Sequence, residues 1–233
     1  GVRQRRMLSL KAAEAPNELV LSATPIPRSL ALVLYGDLDL SVVDELPPGR
    51  TPVKTRIVPE EKRDGLYDFI RREAAAGRQT YIVCPLVEES EQIDARSAQE
   101  MYAELCTGPL ADLRLGLTYG EQDAAEKAAV IDAFSAGQLD VLVATTVIEV
   151  GVNVPSATVM VIENADRFGL SQLHQLRGRV GRGAKESWCF LMAAPNERLK
   201  TLCETGDGFL IAKKDLDMRG PGDFLGTRQH GDT

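Results

Sequence analysis

The runs DVLVATT at residues 140–146 and ATVMVIE at residues 157–163 decide the fold of this chain. Each is a near-continuous apolar run of strand length, rich in β-branched residues, without the polar–apolar alternation of a half-solvated strand. Strands of that texture are buried on both faces, and two-sided burial belongs to a parallel sheet covered by helices above and below. QTYIVCPLV at 79–87 reads the same way. KTRIV at 54–58, RLGLTY at 114–119 and SWCFLMA at 187–193 complete the set of strands. Helices are expected between them, over 60–76 with Gly77 as its stop, over 95–106, and over 123–136 with Gly137 as its stop. Asp123 stands where an N-cap belongs, with Glu126 three residues on. The alternation predicts an α/β fold, a parallel β-sheet with helices on both faces. Ligands of such sheets sit at the carboxyl ends of the strands. Thr145, Thr146, Asn164 and the helix after them are expected there.

That helix carries the main concentration of functional chemistry. GLSQLHQLRGRVGRG at 169–183 holds three arginines, two glutamines and a histidine. On a helical wheel Gln172, Gln175, Arg179 and Arg182 fall within about 80° of one another. Leu170, Leu173, Leu176 and Val180 occupy a different arc, suited to a core. Gly178 and Gly181 would each cost roughly 1 kcal/mol against alanine in a helix interior. Something else requires them, such as close approach of a backbone or a ligand. The pattern reads as an amphipathic helix that presents a row of anion-binding forks. A bare R-G-R would more often be a solvated basic helix.

The totals limit what such a helix can do. The net charge is −7, from 27 basic and 34 acidic residues, so nucleic-acid contact must be local rather than spread over the whole surface. The four cysteines, Cys84, Cys106, Cys189 and Cys203, form no C-x-x-C, and neither histidine completes a zinc pattern, which predicts buried reduced thiols. No apolar run reaches 18 residues and no signal peptide is visible, so a cytoplasmic location and no membrane partner are expected. Neither G-x-x-x-x-G-K-[ST] nor a D-E-x-H box occurs, so the chain lacks the usual cradle for a triphosphate and its Mg²⁺.

The motifs resemble those of superfamily 2 helicases. QLHQLRGRVGR at 172–182 resembles motif VI, and LVATTVIEVGVNVP at 142–155 resembles motif V. LSATPIPRSL at 21–30 resembles motif III, and YIVCPLVEES at 81–90 stands where motif IV belongs. The resemblance implies a RecA-like second helicase lobe. Arg179 and Arg182 match arginine fingers, and Gln175 matches the residue that positions them. Gly151 and Asn153 match nucleotide-sensing positions, with Asn153 where the family has Asp. Thr145 and Thr146 match contacts to a nucleic-acid backbone. Ser22 and Thr24 match the hydroxyls that link the ATP and DNA sites. Tyr119, Glu121 and Gln122 depart from the family pattern and receive no role.

YGDLDLSVVDELPPGR at 35–50 and KDLDMRGPGDFLGTRQHG at 214–231 narrow the resemblance to the RecG family of ATP-dependent DNA helicases, which remodel branched DNA and stalled forks. The second stretch resembles that family's translocation motif, with His230 where Ser is usual. By this resemblance Arg219, Arg228 and Gln229 couple a small C-terminal helical hairpin, or hook, to duplex DNA. The transcription-repair coupling factor shares the hook, but the 35–50 stretch favours the RecG family. A free-standing nucleic-acid-binding RecA-like module is the non-enzyme alternative.

The implied organisation has three parts. Residues 1–50 would be the tail of a first lobe, with the ELVLSA strand at 18–23, plus the interdomain linker. Residues 51–195 would form the RecA-like lobe, and 196–233 a truncated translocation motif. The implied partners are branched or duplex DNA, the first helicase lobe and an N-terminal wedge domain. ATP with Mg²⁺ would be held mainly by that first lobe, with no metal bound by this chain, which alone is expected to be inactive.

Overall fold

The computed structural model describes residues 41, 51–85, 91–145 and 154–219. The strands are β1 (Val53–Val58), β2 (Gln79–Cys84), β3 (Leu115–Thr118), β4 (Val141–Thr145), β5 (Ala157–Ile162) and β6 (Ser187–Met192). They form one sheet in the order β1-β6-β5-β2-β4-β3, and every pairing is parallel. Every residue of β2, β4 and β5 is buried, as their unbroken apolar runs require. The helices are α1 (Arg63–Ala75), α2 (Glu91–Thr107), α3 (Ala124–Ser135), α4 (Leu170–Arg177), α5 (Glu197–Glu204) and α6 (Gly208–Arg219).

Alternate strand residues divide the core in two. Tyr81, Val83, Leu142, Met160 and Leu191 pack with Phe134 of α3, Leu170 and Leu173 of α4, Leu199 and Leu202 of α5 and Ile211 of α6. Ile82, Cys84, Val143, Val161 and Phe190 pack with Leu66 and Ile70 of α1 and Ala98 and Leu105 of α2. The chain steps outward across the sheet through α1 and α2 and returns through α3 and α4. Helices on opposite faces for the two directions are what uniformly right-handed crossovers require.

The local signals hold where the chemistry is simple. Asp123 caps α3 by accepting from the N–H of Ala125 at 2.8 Å. Gly77 and Gly137 follow α1 and α3 with φ of 72° and 74°, the left-handed conformation of a helix terminus. Asn196 caps α5 by accepting from Leu199 N–H at 2.9 Å. The helical pair expected at the C-terminus is present as α5 and α6. Leu199, Leu202 and Ile211 join these helices to the same core as α4, and residues 220–233 of the expected hook lie outside the described residues. All four cysteines are free thiols, with Cys84 and Cys189 buried but Cys203 exposed, so burial does not extend to every thiol.

Candidate functional site

Helix α4 starts just beyond the carboxyl end of β5 and runs back over the sheet. Gln172 Oε1 accepts from the Gly169 N–H at 3.0 Å, so this glutamine caps its own helix. The helix stops at Arg177, with Gly178 as its C-cap. Two tight turns come next, in which Arg179 N–H donates to Leu176 O at 3.0 Å and Val180 N–H to Arg177 O at 3.3 Å. Gly181 then takes a φ of 76°. A Cβ at Gly181 would stand 2.7 Å from Val53 Cγ2 and 3.2 Å from Thr51 O. Gly181 therefore meets two demands at once, a left-handed backbone and a close approach to the start of β1.

These turns correct two expectations. Arg179 and Arg182 do not share a helical face with Gln172 and Gln175, because the helix ends before them. They also lie at the amino edge of the sheet rather than at the carboxyl ends. The loop that carries them rests on Val53 and Ser187, the first residues of β1 and β6. The cause is simple geometry: α4 advances about 12 Å antiparallel to the strands and delivers the residues after it to the opposite edge.

Arg179 is half-buried and Arg182 exposed. Among the described residues neither forms an ion pair, and Arg182 Nε donates to Gly178 O at 3.3 Å. Their positive charge reaches Tyr81 of β2, whose phenol burial pushes up to about 12 against the opposing pull of both guanidiniums. Gln175 is exposed on α4.

The third arginine of the motif behaves differently. Arg177 is 6% exposed. Its Nη1 donates to Leu202 O at 2.7 Å and to Thr205 O at 2.9 Å, tying α4 to the end of α5, and its Nη2 lies 3.0 Å from His174 Nδ1. The sequence carried a signal for this role, since Arg177 falls about 20° from Leu170 on the wheel, inside the apolar arc.

At the carboxyl edge, Thr145 ends β4 and is 1% exposed, and its Oγ1 has no hydrogen-bond partner among the described residues. Thr145 pairs in register with Cys84 of β2. Burial pushes the Cys84 thiol up to about 12. On the same edge Arg63 grips Glu163 with two hydrogen bonds, at 2.8 and 2.9 Å, and also holds Glu60 and the Tyr67 hydroxyl. The Arg63 guanidinium is raised above its ordinary range, first by its hydrogen bond to Glu163 and then by that to Glu60. Next to Glu163, Asn164 turns the chain with a φ of 46°. Sequence reading missed this cluster, because no short-range pattern links residues a hundred positions apart.

Ser22, Thr24, Thr146, Gly151, Asn153, Arg228, Gln229 and the ELVLSA stretch lie outside the described residues. Arg219 closes α6, and its side chain likewise lies outside them.

The geometry leaves a lobe with two arginines on a shaped loop at one edge and a buried hydroxyl at the other. Residues 61–184, more than half of the chain, match the helicase conserved C-terminal domain. The chain belongs to that family. This helicase C-terminal domain is 52% identical over 236 residues to the ATP-dependent DNA helicase RecG of Synechocystis sp., covering 99% of this chain and 28% of that relative. To the RecG of Acidithiobacillus ferridurans it is 53% identical, covering 99% of this chain and 34% of that relative. The solved structure of RecG bound to a three-way DNA junction matches with a TM-score of 0.74 and 46% identity, over 91% of this chain and 30% of that one. The chain thus spans about a third of the length of the curated relatives it matches. The sheet and helices described above are the RecA-like fold of a helicase C-terminal lobe.

Proposed function

We propose that this lobe supplies half of an ATP site and part of a DNA track to a double-stranded DNA translocase that remodels branched DNA. The observation that carries this reading is the pair Arg179 and Arg182. They stand on a loop shaped by Gly178 and Gly181, and among the described residues neither is paired with an acid. A guanidinium that enters from a second lobe neutralises charge on the transferring phosphate and links chemistry to lobe closure. Gln175 orients the fingers, and Gly151 and Asn153 report on the nucleotide. Thr145 and Thr146 take the DNA backbone. Ser22 and Thr24 join the two sites, and Arg219, Arg228 and Gln229 couple the C-terminal helices to the duplex. Residues 1–50, 51–195 and 196–233 act as first-lobe tail with linker, helicase lobe and translocation motif.

Among the described residues no group of three or more His, Cys, Asp or Glu could hold a metal ion. In this reading the Mg²⁺ that accompanies ATP is held with the first lobe. The partners are branched or duplex DNA, that first lobe and a wedge domain. The test is ATP turnover with and without a synthetic three-way junction, measured on the full-length protein and on this chain alone. The reading expects junction-stimulated turnover from the full-length protein and none from this chain. Robust turnover by this chain alone would sink the half-site argument.

A further inference from the structure

Thr51 stands at the foot of the arginine loop. It directly follows DELPPGR in the sequence and precedes β1 by two residues. Its Oγ1 is 3.1 Å from Gly183 O and 3.1 Å from Lys185 O, across more than 130 positions of chain. Its own carbonyl lies 3.2 Å from where a Gly181 Cβ would be. One residue therefore holds the backbone at positions 183 and 185, just after Arg182, and closes the space beside Gly181 just before it. A threonine hydroxyl carries a single hydrogen, so the two carbonyls share it or take it in turn. Either arrangement leaves the loop pinned from one side chain.

We infer that Thr51 is a positioning residue for the arginine loop, setting where Arg179 and Arg182 stand relative to the transferring phosphate. Thr51 acts through the loop backbone. This inference rests on the finger reading. In sequence the residue is also the junction between the 42–50 stretch and the lobe. The hydroxyl therefore joins the entry of the chain into the lobe to the loop that carries its charge. A displacement near 1 Å at a group that stabilises a transition state is enough to lower its rate while leaving ground-state binding intact.

The experiment measures DNA-stimulated ATP turnover by the full-length protein carrying Thr51→Val, Thr51→Ser or, in parallel, Arg179→Ala. Thr51→Val keeps the shape and removes the donor. The expected result is a fall in kcat of about 3- to 10-fold, the worth of one net hydrogen bond. The KM for ATP stays at its wild-type value, and the melting temperature falls by about 2–4 °C per kcal/mol of lost bond, which leaves the variant folded at the assay temperature. Thr51→Ser retains the hydroxyl and restores kcat. If Thr51→Val turns over like wild type while Arg179→Ala does not, the inference is overturned and the finger reading stands. If Arg179→Ala is also unaffected, the finger reading falls and takes the inference with it. If Thr51→Val is already unfolding at the assay temperature, if its KM for ATP rises in place of the fall in kcat, or if Thr51→Ser fails to restore turnover, Thr51 is a plain structural tie and the inference is overturned.

Discussion

Replacing Gly181 by alanine strains the arginine loop in two independent ways. The φ of 76° is left-handed, and an L-residue held there loses roughly 1–2 kcal/mol. The new methyl also meets Val53 Cγ2 at 2.7 Å and Thr51 O at 3.2 Å. Val53 is β-branched and opens a strand paired in register with Ser187, so its methyl cannot simply swing away. Overpacking of that kind adds about 1–3 kcal/mol. Partial relaxation of the exposed part of the loop trims the sum, leaving about 2–4 kcal/mol. For a domain of this size each kcal/mol lowers the midpoint by about 2–4 °C, so Gly181→Ala should melt about 5–15 °C below wild type. Thermal unfolding of the chain followed by circular dichroism reads the shift. Gly65→Ala is the matched control. Gly65 lies inside α1 with nothing within 4 Å of its Cβ position and no positive φ, so alanine should leave stability unchanged or raise it by up to about 1 kcal/mol. A Gly181→Ala midpoint equal to wild type, beside a normal Gly65 control, would refute the claim that this turn requires glycine.

The same geometry sets three further outcomes. Glu163→Gln leaves Arg63 without its bidentate partner at a site where the Glu163 side chain is 4% exposed and that of Arg63 21%. Unfolding in urea should show a loss of about 2–3 kcal/mol, the buried-pair value discounted for the partly solvated arginine, with much of it recovered in an Arg63→Met, Glu163→Leu double variant. Asp140 accepts from Arg114 at 2.6 and 3.0 Å and from its backbone N–H at 2.8 Å, which holds its carboxyl below the ordinary range. A lowered folded pKa gives stability that is present above the unfolded value near ~3.9 and lost as pH falls through the folded one. Asp140→Asn should therefore flatten the acid limb of the stability profile below about pH 4, and an unchanged limb would remove Asp140 from that role. Arg177→Met should cost about 2 kcal/mol of stability by orphaning the Leu202 and Thr205 carbonyls, while Arg179→Ala, two residues on, should leave the melting temperature alone.

The sheet was legible because β2, β4 and β5 are buried on both faces and show it as unbroken apolar runs. The strand order was not, since periodicity describes which faces are buried and says nothing about neighbours. The end of α4 was misread for a definite reason. Val180 continues the apolar arc of Leu170, Leu173 and Leu176, but it reaches the core from a turn after the helix has stopped. The glycines held the better clue, as two costly residues three positions apart argue against a helix interior. Arg177 was missed although its place on the apolar arc was a usable sign of burial. Arg63 with Glu163, and Thr51 with Gly183, were not, because each pair is made by tertiary folding alone. The packing of α5 and α6 onto α4 was not legible, because Leu199, Leu202 and Ile211 meet that core only through tertiary folding.

The central claim is that the loop after α4 carries charge for a phosphate bound by another lobe. Its most direct test is DNA-stimulated ATP turnover by the full-length protein carrying Arg179→Ala, with ATP binding measured alongside. Arginine fingers are worth about 10³-fold or more in turnover, so a loss of that order with ATP affinity little changed is the predicted result. Turnover within about twofold of wild type would contradict the account, because no interaction made only in the transition state would then have been removed.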